Sequence, residues 1–299
     1  MSDARRRVLD FLANYGDLSF TLKELSELAG VTPSVIKGLV THKAIHEEDS
    51  PRDLPFAPLD PNLPSKKLTP DQAEAANKLS TQVSAGDYGT TLLRGVTGSG
   101  KTEVYLEAVA ATLRAGRQAL VLLPEIALTA EFLTRVEVRF GARPAEWHSG
   151  ATMTERRRIW RMVGQGQAQL VIGARSALFL PFQNLGLIVV DEEHATSYKQ
   201  EDGVLYNARD MAVLRASLVG AQVILASATP SLESWANAQS GKYKRLNLEA
   251  RFGPAVMPTM QTVDMRTETL PSDRWISGAL QRAVEARLAA GEQAMLFLN

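Results

Sequence analysis

The sequence predicts an α/β fold with a mainly parallel sheet, preceded by a small winged-helix-like domain. Three observations lead to this prediction. Short apolar runs rich in β-branched residues alternate with helical patterns through residues 65–245, which is typical of a parallel sheet covered on both faces. One strand-to-helix turn in this region is rich in glycine. A helical segment with helix-turn-helix patterning comes first and is separated from the rest by prolines.

The composition is that of an ordinary globular protein, with 45% hydrophobic and 22% charged residues among 299. The formal net charge is zero, so a nucleic-acid site would have to be a local patch. Cysteine is absent, which excludes disulfides and thiolate metal sites within these residues. No secretion signal or membrane-length apolar run is found, so we expect a cytoplasmic protein with no membrane partner.

The segment 1–49 predicts the winged-helix-like domain. Apolar positions favour three helices, near Val8, Leu25 and Ile36, with a Gly-Val-Thr-Pro turn before the third. Its charge is 6 Lys/Arg against 8 Asp/Glu, a net of −2, whereas a domain that reads duplex DNA is normally basic. DNA contact and a structural or protein-docking role both remain open.

Residues 50–64 predict a semi-rigid linker, because five prolines block helix and strand alike. The next domain, 65–245, opens with Thr69 as a helix cap and Pro70 at the first helical position. Its predicted strands are 91–93, 119–123, 170–172, 187–190 and 223–226, and its predicted helices are 103–113, 130–140, 153–163 and 208–217. We expect a connector at 246–274, then a helix at 275–289 and a strand beginning at 294–298.

The glycine-rich turn matches G-x-x-x-x-G-K-[ST], between a predicted strand and a predicted helix. Such a turn binds the phosphates of a nucleoside triphosphate with main-chain N–H groups and a helix N-terminus. Lys101 would reach the β- and γ-phosphates, and Thr102 would hold Mg²⁺. The alternative is a turn that matches by chance. The predicted ATP-binding residues are Gly95, Val96, Thr97, Gly98, Ser99, Gly100, Lys101 and Thr102.

A second candidate feature, a pair of acidic residues, follows the predicted strand 187–190. Asp191 and Glu192 stand at its carboxyl end, where α/β folds bind ligands. We expect Asp191 to hold Mg²⁺ and Glu192 to orient or deprotonate the attacking water, so that these two residues and Lys101 are the catalytic candidates. The alternative is an acidic strand-to-loop turn.

Two further features remain ambiguous. Gln72 lies on the first turn after Thr69, where its amide suits the edge of adenine, although a surface glutamine is the alternative. Residues 131–161 contain 7 arginines against 4 glutamates, a net of +3. These arginines would follow a phosphate backbone or simply form a solvated helix face. The cluster comprises Arg135, Arg139, Arg143, Arg156, Arg157, Arg158 and Arg161.

Six segments together resemble motifs I, Ia, Ib, II and III of superfamily 2 helicases. They are 95–102, 124–129, 148–150, 173–179, 191–194 and 227–231. The amino-acid sequences of 96–105, 191–200 and 208–210 are similar to those of the replication-restart branch of that superfamily. The match is dense over 65–240. It implies a RecA-like lobe at 65–245, a winged helix before it, and the start of a second lobe at 275–299.

The resemblance implies an ATP-dependent 3′-to-5′ DNA helicase that acts at stalled forks, D-loops and junctions of single-stranded and duplex DNA, and in primosome assembly. Single-strand-binding protein and helicase-loading proteins are the implied partners, ATP and Mg²⁺ the cofactors, and zinc is expected only beyond residue 299. We expect this chain alone to hydrolyse ATP weakly or not at all, because the second lobe supplies arginines. A DNA-binding scaffold that does not need ATP hydrolysis and a duplex translocase of the fork-remodelling type remain as alternatives.

The resemblance also assigns residue roles. It makes Gln72 the adenine-reading glutamine, and it makes His194, Ser227 and Thr229 couple the nucleotide site to DNA, although either hydroxyl equally suits a strand end that caps a turn. The loop 198–210 corresponds to an aromatic-rich loop that senses single-stranded DNA, but Val204 and Leu205 depart from that pattern. The implied DNA-binding residues are Arg175, Tyr198, Lys199, Tyr206 and Arg209.

Overall fold

The computed structural model describes residues 2–14, 20–47, 55–124, 127, 129–250, 259–267 and 275–297. Contacts divide the chain into two units, Met1–Ala250 and Arg251–Asn299. Part of the predicted linker, part of the segment 124–129 and most of the predicted connector lie outside the described residues. Among the described residues, no helix is both long and apolar enough to cross a membrane.

The first helices are α1 (Asp3–Asn14), α2 (Leu22–Leu28) and α3 (Pro33–Thr41). Thr21 and Glu24 form a capping box that starts α2. Val8, Leu25 and Ile36, one from each helix, are buried in a separate small core. The three predicted helices are therefore present. Residues 42–47 contain no strand, so the wing of a winged helix stays a prediction.

Part of the predicted linker packs against the sheet domain. Leu59 is buried in its core, and its main-chain N–H donates to Gln169 Oε1 at 2.9 Å. The Asp60 N–H donates to the Phe140 carbonyl at 2.8 Å, and Arg139 Nη1 donates to the Leu63 carbonyl at 3.0 Å. The described end of the linker is thus tied to the domain that follows it.

The sheet domain contains a 7-stranded parallel sheet of order β3-β4-β2-β5-β8-β1-β9. Its strands are β1 (Gly89–Gly95), β2 (Gln118–Leu122), β3 (Ala145–Trp147), β4 (Leu170–Gly173), β5 (Leu185–Asp191), β8 (Gln222–Ser227) and β9 (Lys244–Leu248). A separate antiparallel pair joins β6 (Lys199–Gln200) to β7 (Tyr206–Asn207). The predicted α/β fold with a mainly parallel sheet is confirmed.

Helices cover both faces of this sheet. They are α4 (Pro70–Ala85), α5 (Lys101–Arg114), α6 (Ala130–Phe140), α7 (Met153–Gly164), α8 (Ala208–Val219) and α9 (Leu232–Gln239). Leu93 and Val189 pack with α4, α5 and α6, whereas Leu92 and Ile188 pack with α7 and α8. Neighbouring strand residues thus enter opposite cores, as the period of two in a strand requires.

The sheet also contains two strands that the sequence pattern did not predict, β3 and β9. Strand β9 pairs with β1 and crosses the predicted border between residues 245 and 246. Lys244, Arg245 and Asn247 are exposed and only Leu248 is buried in it. An edge strand with so few apolar residues gives almost no sequence signal.

The second unit contains α10 (Gly278–Ala289). Ser277 caps this helix by accepting a hydrogen bond from the Leu280 N–H at 3.1 Å. The helix predicted at 275–289 is therefore present but begins three residues later, after its cap. The strand predicted at 294–298 is not formed at residues 294–297, the part of that segment which the structure describes.

Candidate functional site

Strand register brings three predicted features to one edge of the sheet. Ala226 on β8 pairs with Leu93 on β1 and with Asp191 on β5. The glycine-rich turn, Asp191 and Ser227 therefore follow or end three adjacent strands at the same level. The carboxyl edge of a parallel sheet is where α/β folds bind ligands.

The turn between β1 and α5 has the backbone of a phosphate-binding loop. Gly98 and Gly100 have φ of +79° and +82°, a conformation that glycine adopts without strain. A Cβ on Gly95 would overlap Ser99 Oγ, and one on Gly100 would overlap Gln72 Nε2. Each glycine is therefore needed for local geometry, and the turn delivers the chain to the N-terminus of α5.

Charge and unsatisfied donors converge inside this turn. Lys101 is buried, and its Nζ donates to the Gly95 carbonyl at 3.0 Å. Ser99 Oγ is buried and has no hydrogen-bond partner among the described residues. The first N–H groups of α5 have no acceptor within the helix. This arrangement suits the oxygens of a phosphate.

Asp191 ends β5 with both carboxylate oxygens held by hydrogen bonds. Tyr105 Oη donates to Oδ2 at 2.9 Å, and the Glu192 N–H donates to Oδ1 at 3.0 Å. Burial raises the pKa of Asp191, while the Tyr105 hydrogen bond and the charge of Lys101 act in the opposite direction. Tyr105 has no role among the sequence predictions, although its spacing of four from Lys101 places both residues on one face of α5.

His194 and Ser227, for which a shared coupling role is predicted, lie in direct contact. His194 Nδ1 is 2.8 Å from Ser227 Oγ and 3.6 Å from Glu192 Oε2. Thr229 joins this group through its main-chain N–H, which donates to Ser227 Oγ at 3.0 Å. Glu192 has φ of +47°, unusual for a residue with a side chain. The contacts link the end of β5 to the end of β8.

Glu193 is a structural residue that the sequence analysis missed. It is buried and accepts hydrogen bonds from the Ser231 N–H at 2.7 Å, the Ser231 hydroxyl at 3.0 Å and the Ser234 hydroxyl at 2.9 Å. Arg209 Nη1 lies 3.5 Å from its Oε2. Glu193 therefore ties β5 to the beginnings of α8 and α9. No sequence signal distinguished it from its acidic neighbour Glu192.

Two predicted DNA-binding side chains lie in the interior. Tyr198 is 1% exposed, and its hydroxyl donates to the carbonyls of Leu122 at 3.0 Å and Asp191 at 2.6 Å. Arg209 is 7% exposed, and its Nη1 also donates to Ser231 Oγ at 2.6 Å. Both side chains are buried, and their polar groups already have hydrogen-bond partners inside the protein. This placement argues against the predicted DNA contact.

The other three predicted DNA-binding residues lie nearer the surface. Lys199 is exposed, with Nζ 3.4 Å from Glu201 Oε1. Arg175 Nη1 donates to the Lys199 carbonyl at 2.6 Å, so it supports the loop as well. The Tyr206 ring meets Phe179 edge-on at 5.1 Å between centroids. Their DNA-binding role stays a prediction.

The arginine cluster at residues 131–161 is partly structural. Arg139 is buried, with Nε 2.9 Å from Glu107 Oε1. Arg156 donates to the carbonyls of His148 at 3.0 Å and Ser149 at 2.9 Å. These two arginines bind the protein itself rather than forming a free cationic face.

Gln72 is buried against the glycine-rich turn. Its Nε2 donates to the Ser99 carbonyl at 2.8 Å, and its Oε1 accepts from the Thr69 N–H at 2.9 Å. The surface-glutamine alternative is wrong, because Gln72 is only 4% exposed. Its adenine-reading role stays a prediction, and the contacts give it a second task, that of supporting the turn.

The predicted magnesium site fits the residues present. No group of three or more His, Asp or Glu that could hold a metal occurs in the described part of the chain. The Mg²⁺ prediction needs only Thr102 and Asp191, because a bound triphosphate supplies further oxygens. Tyr105 donates to Asp191 Oδ2 and lies one helical turn after Thr102 on α5, so it is a neighbour of both candidate ligands. A hydroxyl and a carboxylate are ligands that suit Mg²⁺.

The chain is similar in sequence to known proteins. The DEAD/DEAH box helicase family matches residues 69–238. The replication restart protein PriA of Bacillus subtilis (strain 168) is 40% identical over 99% of this chain and 37% of its own length. PriA of Rickettsia felis is 44% identical over 78% of this chain and 36% of its own length. The chain therefore spans little more than a third of these relatives.

Among solved structures, RecG bound to a three-way DNA junction is similar to this chain. It is 24% identical, has a TM-score of 0.49, and the match covers 68% of this chain and 27% of that chain.

Proposed function

The chain belongs to the DEAD/DEAH box helicase family, and from this premise we propose that it forms the nucleotide-binding lobe of an ATP-dependent DNA helicase acting in replication restart. The observation that carries the proposal is the meeting of the glycine-rich turn with Asp191 at one edge of the sheet. Tyr105, on the helix that follows the turn, bonds to the Asp191 carboxylate at 2.9 Å.

In this proposal the turn residues 95–102 bind the phosphates of ATP. Lys101 gives up its bond to the Gly95 carbonyl and turns to the β- and γ-phosphates. Thr102 and Asp191 would hold Mg²⁺, and the bound cation would neutralise charge on the phosphate oxygens. Glu192 orients the attacking water and accepts its proton, since its side chain is half-exposed at this edge.

Coupling to DNA would run through the contact between β5 and β8. His194 Nδ1 lies 2.8 Å from Ser227 Oγ, so a movement at the end of β5 would shift the end of β8. Lys199, Arg175 and Tyr206 are the proposed DNA-contacting residues that lie outside the core.

The activity of the whole protein is proposed from its relatives. Proteins named for replication restart match 99% and 78% of this chain at 40% and 44% identity. We propose that this protein likewise acts in the cytoplasm on forked DNA, moves 3′-to-5′, and works with single-strand-binding protein and helicase-loading proteins.

Nucleotide binding by this chain tests the proposal. We expect Lys101→Ala to weaken binding of fluorescent ADP with Mg²⁺ by roughly 10- to 150-fold, because a charge-assisted hydrogen bond contributes about 1.5–3 kcal/mol. Lys78→Ala is the matched control, since Lys78 is exposed and pairs with Glu74 on α4. Equal affinities of both variants and the unaltered chain, measured by fluorescence anisotropy, would contradict the proposed site.

Two other functions make different predictions. If the protein is a scaffold that does not need ATP hydrolysis, Lys101→Ala leaves replication restart intact. If it is a duplex translocase, the protein acts on blunt duplex as well as on a fork with a single-stranded gap. A strand-displacement assay on both substrates separates that function from the proposed one.

A further inference from the structure

Tyr105 is a buried polar side chain to which neither the predicted residue roles nor the proposed reaction assigns a task. It lies on α5, one turn after Lys101, and has no exposed surface. A phenol in such a place needs a hydrogen-bond partner, because an unsatisfied buried hydroxyl costs about 1–3 kcal/mol. The choice of its partner is therefore informative.

The partner is the carboxylate of Asp191, which comes from a different element of the fold. Tyr105 Oη donates to Asp191 Oδ2 at 2.9 Å. Thr102 lies three residues earlier, on the same face of α5. Tyr105 therefore bonds to one residue proposed to hold the cation and is the helix neighbour of the other.

These contacts fix the orientation of the carboxylate. Oδ1 accepts the Glu192 N–H at 3.0 Å while Oδ2 accepts the Tyr105 hydroxyl, so neither oxygen is free to rotate. Each carboxylate oxygen has two lone pairs, so each keeps one for a cation. Ligand carboxylates that are held by outer partners in this way bind metals more tightly.

We propose that Tyr105 is the positioning residue of the divalent-cation site: its hydroxyl holds the Asp191 carboxylate beside Thr102, so that the site is formed before nucleotide and Mg²⁺ arrive. The inference rests on the proposed nucleotide site and adds to it the residue that sets its affinity for the cation. Tyr105 itself does not touch the nucleotide.

A second buried tyrosine provides a matched control. Tyr198 is also almost fully buried and also donates to Asp191, but to its main-chain carbonyl at 2.6 Å rather than its carboxylate. Removing either hydroxyl deletes a buried hydrogen bond next to the same residue. Only the Tyr105 hydroxyl acts on the side chain that would bind the cation.

The experiment is a Mg²⁺ titration of this chain with a fluorescent, non-hydrolysable ATP analogue. We expect Tyr105→Phe to raise the Mg²⁺ concentration at half-saturation by about 10-fold, the lower end of the effect of outer-shell changes, and to leave affinity in EDTA unchanged. Tyr198→Phe should change that concentration by less than about 2-fold.

An unchanged Mg²⁺ requirement in Tyr105→Phe, or an equal change in both variants, overturns the positioning role while the nucleotide site stands. If the unaltered chain binds the analogue without any dependence on Mg²⁺, or not at all, the proposed site itself fails. The two failures are thus distinguishable.

A second measurement needs no variant of Tyr105. The chain has 6 tyrosines, which can be labelled with ¹³C at the ring carbon bearing the hydroxyl. Phenylalanine variants of the other tyrosines assign the Tyr105 signal by elimination. We expect this signal to shift when Mg²⁺ is added to the chain saturated with ADP, and an unmoved signal contradicts the proposal.

Discussion

The nucleotide edge, residues 95–102 with Asp191 and Glu192, and the loop segment 198–209 differ in how their side chains are used. At the nucleotide edge the predicted residues lie together, on a turn with two left-handed glycines and at the ends of adjacent strands. In the loop segment the predicted residues separate. Tyr198 and Arg209 face the core, while Lys199 and Tyr206 stay near the surface.

The two regions show which sequence features determine the position of a side chain. A glycine pattern between strand and helix specifies backbone conformation, and the backbone then places Lys101 and Thr102. A tyrosine or arginine in a loop specifies only chemistry. Such a side chain suits DNA or a buried partner equally well, and the surrounding packing decides between them.

The largest effect is expected where the two regions join, at Glu193. Glu193→Ala removes the acceptor for the Ser231 N–H and for the Ser231 and Ser234 hydroxyls, and one of the carboxylates around Arg209. We expect the free energy of unfolding to fall by about 3–5 kcal/mol, because each buried donor left without an acceptor costs about 1–3 kcal/mol. Glu192→Ala, one residue earlier and half-exposed, should change it by less than about 0.5 kcal/mol.

Urea denaturation of both variants measures this difference. Comparable stabilities would mean that the buried network around Arg209 does not hold the loop segment to the nucleotide edge. Glu192 and Glu193 would then not differ in their contribution to stability.

A smaller effect tests whether the backbone of the turn positions the nucleotide edge. Gly100→Ala places a left-handed φ on alanine and pushes Gln72 from its bond to the Ser99 carbonyl, so we expect a loss of about 2 kcal/mol and weaker ADP binding. Gly98→Ala has a similar φ but open space around the added Cβ, so it should lose only about 1 kcal/mol.

Thermal unfolding and ADP binding of the two glycine variants provide the readouts. If Gly98→Ala proves the more damaging to stability, contact with Gln72 is not what supports the turn.

The smallest effect concerns the surface of the loop segment. Tyr206→Ala should lower DNA-stimulated ATPase activity of the protein and cost about 1 kcal/mol of stability, because an aromatic pair contributes about 0.5–1.5 kcal/mol. Phe179→Ala deletes the same ring pair from the other side. A loss of DNA-stimulated ATPase activity in Tyr206→Ala alone supports a DNA-binding role for Tyr206. Equal losses in both variants mean that Tyr206 acts only in packing.

The sequence by itself determined the fold class, the strands that form the centre of the sheet, and the resemblance to helicases. These rest on strong local signals: apolar runs of β-branched residues, and a glycine pattern that only one backbone conformation satisfies. Strands β3 and β9 were not predicted, because short or exposed strands bury too few apolar residues to be recognised in a sequence.

Only the tertiary structure decided which polar side chains face inward. Glu193 and Arg209 pair across 16 positions of sequence, and Tyr105 reaches Asp191 across 86. Such contacts depend on strand order and on the side of each element that meets its neighbour, and residue type does not encode them. Adjacent acids can therefore lie in opposite environments, one at the nucleotide edge and one inside the core.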